Sequence, residues 1–139
     1  MRRLMLDTCV VVDLLINYNG VDKGVLGLID DPENRLYASF ETMRELIVLY
    51  NNHKIRSRKW KSADDIISTV ENEFELDFLP LHPQVARTYA HLQLNEEMNH
   101  HDPSDHIIIS HAISERMELI SSDRKFPFYR SQGLQLIEG

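Results

Sequence analysis

Five acids, Asp7, Glu45, Asp102, Asp105 and Asp123, stand where solubility alone does not explain a carboxylate. Asp7 follows the apolar run Leu4-Met5-Leu6 and precedes Val10-Val11-Val12. A charge between two buried elements is costly unless something pairs with it. Asp123 closes "ELISSD" as Asp7 closes "RRLMLD". Asp102 and Asp105, three residues apart at a helix start, share one helix face. Glu45 lies about one turn into a helical pattern, with Leu46 and Ile47 beside it. Gathered together, such acids repel, and some stay protonated unless a cation joins them. A hard divalent ion, Mg²⁺ or Mn²⁺, resolves this because it takes oxygen ligands. It can make water nucleophilic and polarise a phosphate oxygen, and two ions about 3.5–4 Å apart can clamp both attacking and leaving oxygens. The chemistry implied is metal-dependent cleavage of a nucleic acid backbone.

Each acid also has a purely structural reading. "DPSD" (102–105) is an N-terminal cap, with Asp102 at the cap, Pro103 at the first helical position and Asp105 in the first turn. Asp123 could open a turn into "RKFPFY". Glu45 alone reads as a solvated helix residue. Asp7 has the weakest alternative, since core-like segments flank it on both sides.

The elements that must position these acids alternate between strand and helix. Strands are expected at "RRLMLD" (2–7), "RLYAS" (35–39), "DFLPL" (77–81), "ELISSD" (118–123) and "LQLIE" (134–138). Helices are expected at 10–16, 23–31, 41–53, 62–74, 83–98 and 102–117, from apolar periodicity and capping signals. Ser62 with Asp65 forms a capping-box pattern, and Pro83 suits a first helical turn. Strands separated by helices imply a three-layer α/β/α sandwich around a mainly parallel sheet of about five strands. Ligands of such sheets gather at the carboxyl ends of the strands, where Asp7 and Asp123 fall.

With 139 residues and no repeat or linker, residues 1–139 read as a single domain. The single cysteine, Cys9, excludes an internal disulfide framework and a Cys-rich zinc site. No stretch approaches the roughly 20 apolar residues of a membrane span, so the expected setting is the cytoplasm, with no membrane partner. The net charge of −7 taken alone argues against a nucleic-acid partner, unless the acids are concentrated at a cation site.

The four motifs "LMLDT", "SFETMREL", "HHDPSDHIIISHAI" and "LISSDRKF", in this order, resemble PIN-domain endoribonucleases, in particular the small VapC-type toxins of toxin–antitoxin systems. The resemblance covers essentially the whole chain. It implies a PIN-like nuclease domain in which Asp7, Glu45, Asp105 and Asp123 are the catalytic, metal-binding acids, with Asp102 a neighbour. It also implies Thr8, Ser39 and Ser121 as hydroxyls supporting those acids. The partners it implies are RNA as substrate, a cognate antitoxin protein and a second copy in a homodimer. Two positions depart from the family pattern. His106 stands where relatives carry Arg after the second Asp, and Cys9 stands where they carry a polar residue.

The basic stretch Lys54, Arg56, Arg58, Lys59 and Lys61, with Trp60 among them, could hold RNA by phosphate contacts and base stacking, or be a solvated inter-helix segment. His100 and His101 match no helical metal pair, and His106 and His111, five apart, diverge on a helix. Cys9 has no partner base nearby in sequence and reads as packing. Phe126, Phe128 and Tyr129 suggest core closure or a partner surface. Two other classes compete with a nuclease: a catalytically silent PIN-like binding module, and a receiver-type phosphoacceptor domain. The receiver class needs an aspartate where "DFLPLHP" ends in Leu and His, and no Gly-x-Gly-x-x-Gly supports a dinucleotide enzyme.

Overall fold

Apolar side chains alternate along the first strand. Leu4 and Leu6 join one core cluster, Met5 joins another, and all three are fully buried. A strand buried on both faces belongs inside a sheet covered on both sides. The computed structural model, which describes residues 1–139, has this arrangement. Strands β1 (Arg3–Leu6), β2 (Arg35–Ser39), β3 (Leu76–Leu79), β4 (Glu118–Ser121) and β5 (Gln135–Glu138) form one parallel sheet in the order β3-β2-β1-β4-β5. Helices α1 (Thr8–Ile16), α2 (Lys23–Asp30), α3 (Phe40–Asn51) and α4 (Ala63–Glu73) bury Val11, Val25, Leu46 and Ile66 against one face. On the other face α6 (Pro103–Glu115) buries Ile108 and Ile109, and α5 (Pro83–His91) packs against α6. The expected α/β/α sandwich with a five-stranded parallel sheet is the observed fold.

The chain runs outward from β1 through β2 to β3, then returns to place β4 on the other side of β1. The strand order therefore reverses between β1 and β4, where such folds open a crevice. Register fixes what lines it. Leu6 pairs with Ile120, and the Asp7 N–H continues the ladder to the Ile120 carbonyl at 3.0 Å. Asp7 thus emerges beside Ser121, with Asp123 just beyond.

Two local expectations are corrected. The helix expected over 83–98 stops at His91, because tertiary partners take over the following backbone donors. Gln93 N–H donates to Gln132 Oε1 at 2.9 Å, and Asn95 N–H donates to the Tyr129 hydroxyl at 3.0 Å. The Ser62–Asp65 capping box does not close. Ser62 makes no side-chain cap, and Asp65 Oδ2 instead accepts from the Lys61 N–H at 2.7 Å. The segment "PFYRSQ", for which no element was expected, is a 3₁₀ turn, Pro127–Gln132, ended by Gly133 at φ 103°, a left-handed conformation that suits glycine. It buries Tyr129 completely while Phe128 stays exposed, so core closure holds for Phe126 and Tyr129.

Trp60 is also corrected. It lies in the larger core cluster, 7% exposed, with its indole N–H donating to Thr69 Oγ1 at 3.3 Å. It is not available to stack on a base, whereas Lys54, Arg56, Arg58, Lys59 and Lys61 around it are exposed. Trp60→Ala should lower the unfolding free energy by about 3–5 kcal/mol in a urea titration, the usual cost of truncating a buried aromatic. A surface stacking residue would leave the midpoint unchanged.

Candidate active site

The five acids come from four separate places in the chain and line one cleft of about 480 Å³, together with Thr8, Cys9, Asp13 and Ser122. Asp7 caps α1 from the end of β1, and its Oδ1 accepts from the Thr8 N–H at 2.8 Å. Its Oδ2 accepts from Ser121 Oγ at 2.7 Å and from Cys9 Sγ at 3.2 Å. The Ser121 hydroxyl also accepts from the Asp123 N–H at 3.1 Å, so one side chain fixes both strand-end acids. Thr8 Oγ1 donates to Glu45 Oε1 at 2.5 Å and meets Thr42 Oγ1 at 3.0 Å. Thr8 and Ser121 therefore both hydrogen-bond the acids. Ser39 does not: it caps α3 through the Glu41 N–H and bonds His111 at 2.7 Å.

Asp102 does cap α6, accepting the Ser104 N–H at 2.9 Å, and Asp123 does form a turn, accepting the Lys125 N–H at 2.8 Å. The structural readings of these two acids hold while both still line the cleft. Glu45, Asp102, Asp105 and Asp123 each give one oxygen to a protein partner and keep the other without a hydrogen bond. The ion pairs of Lys and Arg involve Glu118, Glu115, Glu41, Glu73 and Glu138, and none of the five acids.

Sequence reasoning set His100 aside as a metal ligand and missed its contact with Asp105, and it missed Thr42 and Glu41 altogether. His100 is buried with Nε2 2.9 Å from Asp105 Oδ2 and Nδ1 2.9 Å from the Tyr129 hydroxyl. A donor atom of His100, one of Asp105 and one of Asp123 lie within 4.8 Å of one another. His106 turns inward, its Nε2 on the His100 carbonyl at 3.0 Å and its ring 4.6 Å from that of His100, so it shapes the loop that presents His100. The sequence drew attention to His100 only as half of a His100–His101 metal pair, and the loop has no periodicity that would reveal its bond to Asp105. Glu41 forms a bidentate pair with Arg44, at 2.8 and 2.6 Å, and is bonded to Ser104.

The electrostatics follow from this burial without countercharge. Burial raises the Asp7 carboxyl above its ordinary range, against the hydrogen bonds from Ser121, Cys9 and Thr8. Burial, then Asp7 and Asp102, raise Glu45 despite the bond from Thr8. Burial and then Asp7, Asp102, Asp123 and Glu45 push Asp105 up to about 8. Burial and Asp7 push the Cys9 thiol up to about 11, so it is no thiolate nucleophile at neutral pH. A hard divalent cation fits this donor set. The free groups are all carboxylate oxygens, and no Lys or Arg forms an ion pair with them.

The PIN domain family model matches residues 4–131, and the chain belongs to that family. A comparison with curated protein sequences returns no match. Among solved structures it is similar to VapBC-1 from nontypeable Haemophilus influenzae, at 25% identity and TM-score 0.71, over 98% of this chain and 97% of that one. It is also similar to VapBC2 from Rickettsia felis bound to a DNA fragment from their promoter, at 22% identity and TM-score 0.70 over 98% of each chain. DNA-bound VapBC from Salmonella typhimurium follows at 21% identity and TM-score 0.67, over 99% and 98%. No helix is long and apolar enough to cross a membrane.

The raised Asp105 predicts how the metal-free protein responds to pH. Between its ordinary value of 3.8 and about 8, the folded chain holds a proton that the unfolded chain has released. Stability then falls as pH rises through that window and levels off above it. In chelator, Asp105→Asn should melt a few degrees above the wild type at pH 8, with a smaller difference at pH 5. Equal differences at both pH values would contradict the raised carboxyl.

Proposed function

We propose that this protein is a Mg²⁺- or Mn²⁺-dependent endoribonuclease, the toxin of a toxin–antitoxin pair, that hydrolyses RNA phosphodiester bonds at the acid cleft. The observation that carries this reading is the gathering of Asp7, Glu45, Asp105 and Asp123, with Asp102 at an exposed edge, in one cleft with no Lys or Arg paired to any of them. Membership of the PIN family and the fold shared with VapBC proteins support it. Asp7, Glu45, Asp105 and Asp123 would hold the ion. When bound, it supplies positive charge to a phosphate oxygen and acidifies water.

The chain's own residues orient and buffer. Ser121 and the Thr8 N–H fix both Asp7 oxygens, and Thr8 Oγ1 fixes one oxygen of Glu45, so these carboxylates enter the site already aligned. His100 holds Asp105 Oδ2 at 2.9 Å and is itself anchored by Tyr129, which sets the direction of the free Asp105 oxygen. The exposed Lys54, Arg56, Arg58, Lys59 and Lys61 offer a phosphate-binding strip. The strip begins where the Lys54 N–H meets the carbonyl of Leu49, a cleft-lining residue at the far end of α3. A cognate antitoxin and a second copy of this chain complete the reading. The antitoxin is supported by structural neighbours solved as VapBC proteins.

The test is cleavage of a mixed RNA pool by purified protein with Mg²⁺, Mn²⁺ or EDTA. Activity should require the metal and fall about a hundredfold or more in Asp105→Asn, with circular dichroism showing the fold retained; even outer partners of metal ligands are worth about 10–100-fold. Ser121→Ala, which frees Asp7 and Asp123 together, should lose about 10–100-fold. Cleavage that persists in EDTA, or in folded Asp105→Asn, would refute the metal-dependent reading. Metal binding without any RNA cleavage would favour a silent PIN-like binding module.

A further inference from the structure

On the opposite half of α6 from the acid cleft, three residues that the nuclease reading does not use converge. His111 and Glu115 are four apart on α6, on one face, and His82 caps the start of α5 without using its side chain for the cap. His82 Nε2 lies 2.6 Å from Glu115 Oε1, and the His82 and His111 rings stand edge to face, 6.1 Å between centroids. One donor atom from each of the three lies within 4.8 Å of the others. We propose that His82, His111 and Glu115 form a second metal site, for a transition-metal ion of the Zn²⁺ class.

The second observation that points to a ligand is His111 itself. It is completely buried, and its Nε2 has no hydrogen-bond partner. Buried polar atoms are rarely left unpaired without a reason. The other ring nitrogen, Nδ1, is held by Ser39 Oγ at 2.7 Å, and Ser39 is itself fixed at the N-cap of α3. An outer partner on one imidazole nitrogen is what orients the other toward a metal. The His82–Glu115 pair accounts for two members of the cluster and leaves the third unexplained. An ion accounts for all three.

The donor set decides the metal class. Two imidazoles and one carboxylate suit Zn²⁺ and its Irving–Williams neighbours, whereas the all-carboxylate cleft suits Mg²⁺ or Mn²⁺. Three protein ligands leave one tetrahedral position for water, and the partly exposed side chains of His82 and Glu115 give the ion a path from solvent. The two sites sit on one helix, since Asp105 and His111 are separated by about 9 Å of helix rise. A bound ion would tie the β3–α5 connection to α6, the helix that carries Asp102 and Asp105.

The test titrates Co²⁺ and Zn²⁺ into the metal-free full-length protein with Mg²⁺ in excess. Wild type, His82→Ala, Glu115→Gln and Asp105→Asn are compared, each checked for folding by thermal denaturation. His82 and Glu115 are both partly exposed, so their variants avoid the core disturbance that replacing His111 would cause. About one equivalent of Co²⁺ should give the strong visible band of a four-coordinate nitrogen–oxygen site. The band and the matching Zn²⁺ calorimetric isotherm should weaken at least about tenfold in His82→Ala and in Glu115→Gln, and persist in Asp105→Asn. An unchanged isotherm in the two former variants, no band in the wild type, or loss of the band in Asp105→Asn would overturn the proposal. RNA cleavage does not enter this readout, so its outcome is independent of the nuclease reading.

Discussion

Mutual repulsion of carboxylates held at the edge between β1 and β4 is the constraint around which this molecule is organised. Coulomb repulsion at short range in a half-buried cleft is far stronger than in water. No Lys or Arg forms an ion pair with any of these acids, and Arg44, whose charge reaches Glu45 and Asp102, is paired with Glu41. The chain supplies neutral hydrogen-bond donors instead: Ser121 and the Thr8 N–H to Asp7, Thr8 Oγ1 to Glu45, and backbone N–H groups to Asp102 and Asp123. Such donors stabilise a carboxylate without cancelling its charge, so the ionisation of Asp7, Glu45 and Asp105 stays unfavourable. A cation entering the cleft meets groups already aligned and held by the fold.

The sheet topology makes this concentration of charge compatible with a folded chain. The acids emerge only where the strand order reverses, at a surface crevice, while the strands behind them are packed in apolar residues: Leu4, Leu6, Leu119 and Ile120 are all fully buried. Moving Asp7 one residue back along β1 would place it at Leu6, between two packed layers, where no solvent or ion could reach it. The Leu6↔Ile120 register is therefore as much a condition of the site as the acids themselves.

The same logic explains what the sequence disclosed and what it withheld. Asp7 and Asp123 were legible because each ends a strand-like apolar run, and the βα alternation alone implies that such ends share one sheet edge. Asp102 and Asp105 were legible through their helix spacing. Ser39 was not, since its position at the head of "SFETMREL" suggested the acid site, while its true partner, His111, is 72 residues away on α6. Trp60 sat in a basic run that periodicity reads as solvated, yet Thr69 and the α3–α4 packing drew it into the core. The early stop of α5 has the same origin: the Gln93 and Asn95 N–H groups have partners, Gln132 and Tyr129, that only the tertiary fold brings near. Local pattern fixes elements and strand ends, but not long-range side-chain pairing.

Asp102 and Asp123 show why structural and functional readings of one residue need not compete. A carboxylate has two oxygens and about four lone-pair sites, and an N-cap or an Asx turn uses only one oxygen. Asp102 caps α6 with Oδ1, and Asp123 turns the chain with Oδ1; in each case the second oxygen carries no hydrogen bond. The capping bond also removes rotational freedom, so the free oxygen is held in a defined direction rather than sampling solvent. The fold thus uses the bonds that end its strands and start its helices to aim the groups at its cleft. A serine or threonine cap would satisfy the same helix N-terminus, but a hydroxyl carries no charge and has no second oxygen to offer a cation.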